Sequence, residues 1–204
     1  MKSDIFMISI FKKYLQDRLC VTDDAWEFIA PLLKTRSFHK SDMILTAGEN
    51  WQVHAFILEG CVSTFKVNET DHKEIISFDC ETAWIGDGEA LASGLPSRFN
   101  IEAIEDTHLL LIENTDFDLI RNNVKAFHNY VDSVRYGKFI NSNKKIHAAF
   151  ARTAIGRYRN FLNQYPKLVL RLPENLIASY LSINTETLNS VRREFSKGKR
   201  KPLL

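Results

Sequence analysis

The period of the apolar residues changes near Thr115, and that change divides the chain into a part that must fold as strands and a part that must fold as helices. From Ser37 to Ile112 the apolar residues come in short β-type runs closed by turn signals. Met43-Ile44-Leu45 precedes Ala47-Gly48-Glu49-Asn50, and Ala55-Phe56-Ile57-Leu58 precedes Glu59-Gly60. Val62 to Val67 continues the series, Asn68 to Lys73 is a polar turn, and alternation returns around Ile75, Ile76 and Phe78. Ile101 to Ile104 and Leu109 to Ile112 close it, with Glu105-Asp106 as the turn between them. Several short strands at roughly ten-residue spacing predict a sandwich or jelly roll. Ahead of the strands, Thr22 followed by Asp23 and Asp24 predicts a capped helix start, with Trp26, Phe28, Ile29, Leu32 and Leu33 as the apolar face.

Past Thr115 the spacing is helical. Phe117, Ile120 and Val124 come first, then Phe127, Tyr130, Val131 and Val134 at i, i+3, i+4 and i+7. The stripe runs on through Phe139, Ile140 and Ile146, so a long helix leaves the barrel. Such a stripe needs cover. An identical helix from a second subunit is the economical partner and predicts a homodimer through residues 127–146; the alternative is packing on the chain's own barrel.

A further helix from Thr153 to Leu162 ends at Tyr165-Pro166, where the proline ring cannot extend the hydrogen-bond ladder. In the next segment, Glu174 to Arg193, Ile177, Leu181, Ile183, Leu188 and Val191 are the buried positions. Ala178 allows close helix approach and Ser182-Ile183-Asn184 supplies a tight turn, which is a helix-turn-helix pattern. Thr185 is the expected cap of the second helix. The polar face of that helix presents Thr185, Glu186, Asn189, Ser190, Arg192 and Arg193. Glu186 can accept from a cytosine amino group, Asn189 matches an adenine edge, and Arg192 and Arg193 suit phosphate or guanine. The plainer alternative for any one of them is a solvated helix surface.

Charge supports the nucleic-acid reading. The net charge of +2 conceals 16 Lys and Arg against 22 Asp and Glu in residues 1–149, and 11 against three in residues 150–204. A solvated basic tail around Lys197, Lys199, Arg200 and Lys201 is the alternative. With 45% hydrophobic and 25% charged residues and five prolines, the chain reads as globular rather than disordered. No apolar run approaches the ~18 residues of a membrane span, and Met1-Lys2-Ser3-Asp4 lacks the texture of a secretory signal, so the cytoplasm is the expected compartment. Cys20, Cys61 and Cys80 are widely spaced and fit reduced thiols better than a disulfide or zinc site. They are also too few for an iron–sulfur cluster, and isolated His54, His72 and His108 are weak haem candidates. No nucleophile and base pair, metal spacing or phosphate loop points to an enzyme.

Over about residues 10 to 195 the chain resembles the Crp/Fnr family of bacterial transcription regulators. The likeness is carried by Pro173-Glu174-Asn175-Leu176-Ile177-Ala178-Ser179-Tyr180-Leu181-Ser182-Ile183-Asn184-Thr185-Glu186-Thr187-Leu188, and by Ala47-Gly48-Glu49 with Glu59-Gly60. It implies an α+β fold: a cyclic-nucleotide-binding-like β-roll with N-terminal helices in residues 1–124, a long dimer helix in 125–149, and a helix-turn-helix domain in 150–204. It also implies double-stranded DNA and RNA polymerase as partners. Thr185-Glu186-Thr187 keeps the Glu and Thr of the family's recognition helix, while Thr185 and Ser190 stand where family arginines often read guanine, so operator sequence does not transfer. Ser196 to Leu204 are too few for the usual β-hairpin wing, which is expected to be reduced or absent. The matching ligand cassette runs from Ile85 to Arg98, with Gly86, Asp87, Ser97 and Arg98 at the binding positions of relatives that hold cyclic AMP. Asp87 is one methylene shorter than the family's Glu, and Ser97-Arg98 reverses the expected order, which in a strand turns Arg98 to the opposite face. Cyclic AMP, an unidentified small ligand and no ligand all remain open.

Overall fold

The computed structural model of the chain describes residues 4–149 and 153–198. Eight strands form two antiparallel four-stranded sheets. The first contains β1 (Lys34–Phe38), β3 (Val53–Glu59), β6 (Trp84–Ile85) and β8 (Thr107–Glu113) in the order β1-β8-β3-β6. The second contains β2 (Met43–Leu45), β4 (Cys61–Val67), β5 (Lys73–Cys80) and β7 (Asn100–Ala103) in the order β2-β7-β4-β5. The predicted turns at Asn68 to Lys73 and around Glu105-Asp106 fall between β4 and β5 and between β7 and β8.

The run Ala55-Phe56-Ile57-Leu58 is buried throughout because both faces of β3 are covered. Ala55 and Ile57 point into the roll with Val62, Ile101 and Leu109. Phe56 and Leu58 point the other way, against helices α1 (Asp4–Gln16), α4 (Asn114–Asn123) and α5 (Lys125–Ala149). α2 (Asp23–Ile29) is capped as predicted, Thr22 Oγ1 accepting from the Ala25 N–H at 3.2 Å, and runs into a 3-10 turn at Ala30–Leu32. At the β3–β4 corner only glycine fits: Gly60 has φ +109°, and a Cβ there would lie 2.5 Å from Thr107 Oγ1.

α5 is the long helix foreseen after the roll, but its first turns are spent on its own barrel: Phe127 is fully buried, and Tyr130 and Val131 nearly so. Its outward apolar residues begin further along, at Tyr136 and Ile140. α6 (Ala154–Gln164), α7 (Glu174–Tyr180) and α8 (Thr185–Gly198) form a helical head. That head does not stand apart. Its core is continuous with the outer face of the second sheet, where Cys61, Phe65, Ile75 and Phe78 meet Phe161, Tyr165, Ile177 and Leu181.

Candidate functional site

α7 and α8 are joined by a tight turn in which Ser182 takes φ +52° and the Ile183 N–H donates to the Ala178 carbonyl. Ile177, Leu181, Leu188 and Val191 are buried as the spacing predicted and Ala178 is buried at the close approach, whereas Ile183, in the turn, is only half-buried. The cap is not Thr185: that residue is already the first of α8, and Asn184 Oδ1 accepts the Thr187 N–H at 2.7 Å. An Asn at the N-cap reaches the third helical amide as well as a Thr does, which made the two neighbours hard to tell apart by sequence. Thr185, Glu186, Ser190 and Arg193 are exposed, whereas Thr187, Asn189 and Arg192 are half-buried. Two of the expected reading groups have partners inside the head. Arg192 is ion-paired to Glu174 of α7, and the Ser190 hydroxyl donates to the Glu186 carbonyl at 3.1 Å. Glu186 and Arg193 are left exposed, with Asn189 half-buried between them. Residues 199–204, on which the wing expectation largely falls, lie outside the described residues.

The cassette in the roll is closed upon itself. Asp87 precedes α3 (Gly88–Ser93), and its Oδ1 accepts from the Glu89 and Ala90 N–H groups at 2.9 and 3.1 Å. Its Oδ2 accepts from the Ser97 hydroxyl at 2.9 Å, so Asp87 and Ser97 form a buried pair. Burial would push the carboxyl pKa up. The hydrogen bonds from Ala90, Ser97 and Glu89 outweigh it and hold the pKa below the ordinary Asp range. The Glu89 and Ala90 amides in the first turn of α3 are thereby satisfied by the chain's own carboxylate. Arg98 points to the surface and pairs with Glu89. Gly86, at φ +124°, lies under the indole of Trp51, whose Nε1 would stand 2.2 Å from a Cβ there.

A third constellation carried no local signal in the sequence. Arg171, in the segment between α6 and α7, sits between two carboxylates of the roll. Its Nη1 and Nη2 donate to Glu81 at 2.9 and 2.8 Å, and it also pairs with Glu105. Glu81 in addition accepts from the Gly60 N–H at 3.0 Å. Burial tends to raise the Glu81 pKa, but the Arg171 and Gly60 donors win and bring it down to about 2. Beside this clamp the Phe78 ring lies 5.6–6.4 Å from Phe161, Tyr165 and Tyr180. Ser179 of α7 donates to the Lys73 carbonyl of β5 at 2.6 Å. The head and the roll are thus joined by apolar, ionic and backbone contacts at once.

Residues 35–123 match the family profile of the cyclic nucleotide-binding domain. Among solved structures, FixK2 from Bradyrhizobium japonicum superposes with a TM-score of 0.70 at 17% identity, covering 84% of this chain and 88% of that one. The c-di-GMP-responsive global regulator CLP of Xanthomonas campestris gives 0.68 at 11%, covering 90% and 96%. A Crp/Fnr-family protein from Eubacterium rectale gives 0.64 at 16%, covering 90% and 87%. None of the curated proteins matches the chain. The likeness is therefore one of fold: a cyclic-nucleotide-binding-type β-roll followed by a long helix and a helical head, as in these solved structures. No helix among the described residues is long and apolar enough to cross a membrane, and those residues contain no cluster of His, Cys, Asp and Glu arranged to hold a metal.

Proposed function

We propose that this chain is a homodimeric, sequence-specific DNA-binding regulator of transcription in which the roll biases the placement of two helical heads. The observation that carries the reading is α8 itself. Its apolar side is fixed by Leu188 and Val191, and Glu186 and Arg193 are exposed on the other side, within the segment that holds the chain's positive charge. A helix held that way can enter a major groove without giving up its packing. Asn189 and Glu186 are the base readers in this account, Arg193 holds phosphate or guanine, and Thr185 lies at the phosphate-facing end of the helix. Arg192, tied to Glu174, positions α8 against α7 rather than reading bases.

The dimer contact falls on the part of α5 from Tyr136 onward, because Phe127, Tyr130 and Val131 are already covered by the roll. Two-fold symmetry then calls for half-sites about 34 Å apart along the DNA. A ligand of the roll would act through different affinities for two dimer states, and DNA would change ligand affinity reciprocally. The self-capped Asp87 argues against cyclic AMP in the cassette. Residence in the cytoplasm and contact with RNA polymerase follow from the same reading.

Selection from a random duplex library with the purified full-length chain, followed by affinity measurements over a salt series, tests it. Enrichment of a pseudo-palindrome, with affinity falling as salt rises, is the expected result. Binding that shows no sequence preference at any salt would overturn it.

A further inference from the structure

Two of the three cysteines stand directly opposite each other across β4 and β5, Cys61 pairing with Cys80 in the antiparallel register. The Cys61 carbonyl accepts from the Ile104 N–H at 2.8 Å, and the Cys80 carbonyl accepts from the Ala83 N–H at 3.0 Å. Two residues before Cys80, the Phe78 N–H also turns away from β4, toward the Tyr165 hydroxyl at 3.5 Å. Cys61 and Cys80 are therefore a non-hydrogen-bonded pair, the kind in which facing Cα atoms are about 4.5 Å apart and the side chains lie closest. That spacing falls within the range of about 4.4–6.8 Å in which disulfides are found.

Both thiols lie on the side of the sheet that meets the head. Cys61 is fully buried in the cluster that holds Phe65, Phe78 and Phe161, and Cys80, half-buried, packs against it. The pair also borders the ionic clamp: Glu81 follows Cys80, and the Gly60 N–H, just before Cys61, donates to Glu81 at 3.0 Å. Burial, and then the charge of Glu105, push the Cys61 thiol up to about 12. Burial and then Glu81 push the Cys80 thiol up as well. Both sulfurs are protonated at neutral pH, so attack on an oxidant is slow and begins at Cys80, the one that solvent reaches.

We infer that Cys61 and Cys80 are a redox site, a dithiol that a peroxide converts to a disulfide across β4 and β5. The Cys80 sulfur attacks one oxygen of hydrogen peroxide and the O–O bond breaks. The thiol proton leaves with the departing hydroxide as water, and Cys80 becomes a sulfenic acid. The Cys61 sulfur then attacks the Cys80 sulfur, the S–O bond breaks as the S–S bond forms, and the hydroxide takes the Cys61 proton as a second water. The two thiols together lose two electrons, and one peroxide gains them. The cross-link fastens the two strands against which Phe161, Tyr165 and Tyr180 of the head are packed. The assignment goes beyond the regulator reading and does not rest on it.

The test uses the full-length chain carrying Cys20→Ser, which removes the exposed thiol as a competing partner. The reduced protein is treated with hydrogen peroxide, remaining thiols are alkylated, and a tryptic digest is read by mass spectrometry. The expected result is loss of both thiols together, with a link between peptides 41–66 and 74–98 that dithiothreitol reverses, in a chain that still runs as a monomer on a non-reducing denaturing gel. Cys61→Ala, added to Cys20→Ser, should leave Cys80 as a sulfenic acid that dimedone captures. Cys80→Ser, at the half-buried position, should leave Cys61 unoxidised, with circular dichroism confirming that each variant is folded. Two free thiols surviving at a peroxide dose that fully oxidises Cys20 in the unmodified chain would overturn the assignment. So would a link between chains rather than within one, or over-oxidation of Cys80 to the sulfinic acid with no linked peptide.

Discussion

The cassette in the roll and the seam between roll and head are both built around an ionised carboxylate, yet they are satisfied in opposite ways. Asp87 finds its partners within ten residues, in the amides of Glu89 and Ala90 and the hydroxyl of Ser97. Glu81 finds its guanidinium 90 residues further along the chain, in Arg171. A carboxylate closed by its own loop rigidifies that loop, its acceptors taken by the Glu89 and Ala90 amides and the Ser97 hydroxyl. A carboxylate closed by a distant segment makes the position of that segment part of the fold.

The sharpest way to break this contrast is at Phe78, which is 2% exposed and centred among Phe161, Tyr165 and Tyr180. Phe78→Ala should cost about 3–5 kcal/mol, and it should replace one cooperative thermal transition by separate unfolding of roll and head. Arg171→Ala comes next. It strands two carboxylates that are each about a third exposed, so solvent screening limits the expected loss to about 1–3 kcal/mol in chemical denaturation. The seam also carries a pH signature. With the folded Glu81 pKa at about 2 and its ordinary value at 4.5, the stabilisation is complete above the ordinary value and is lost as pH falls toward the folded one. Glu81→Gln should remove that part of the acid dependence in a denaturation series. Asp87→Ala, by contrast, should cost only about 1 kcal/mol, the scale of a lost helix cap, and leave the seam's cooperativity unchanged. The smallest expected effect on stability is at Arg193, exposed on α8: Arg193→Ala should change it by less than about 0.5 kcal/mol while lowering DNA affinity and reducing the salt slope by about one.

The same contrast explains what could be read in the sequence. Strand runs, the Thr22 cap, the helix stop at Tyr165-Pro166 and the buried ridge of Ile177, Leu181, Leu188 and Val191 each follow from residues a few positions apart. The clamp at Arg171 does not, because nothing near Arg171 distinguishes it from a solvated cation, and its two acceptors lie in different turns of the roll. The cassette was visible as a cassette, but its closure was not. That depends on which rotamer Asp87 takes and on Trp51 lying over Gly86, neither of which leaves a periodic trace. The stripe on α5 was also only half legible: its spacing showed that it is buried, and only the packing shows that Phe127, Tyr130 and Val131 face the roll.

The claim on which the account depends is that α8 reads base edges as one of a symmetric pair. The most direct measurement is a parallel duplex selection with the unmodified chain and with Asn189→Ala. The account predicts a pseudo-palindrome for the unmodified chain, and for Asn189→Ala relaxed preference at one base pair in each half-site, at symmetry-related positions. Identical sites from both proteins, or a change confined to one half, would contradict it.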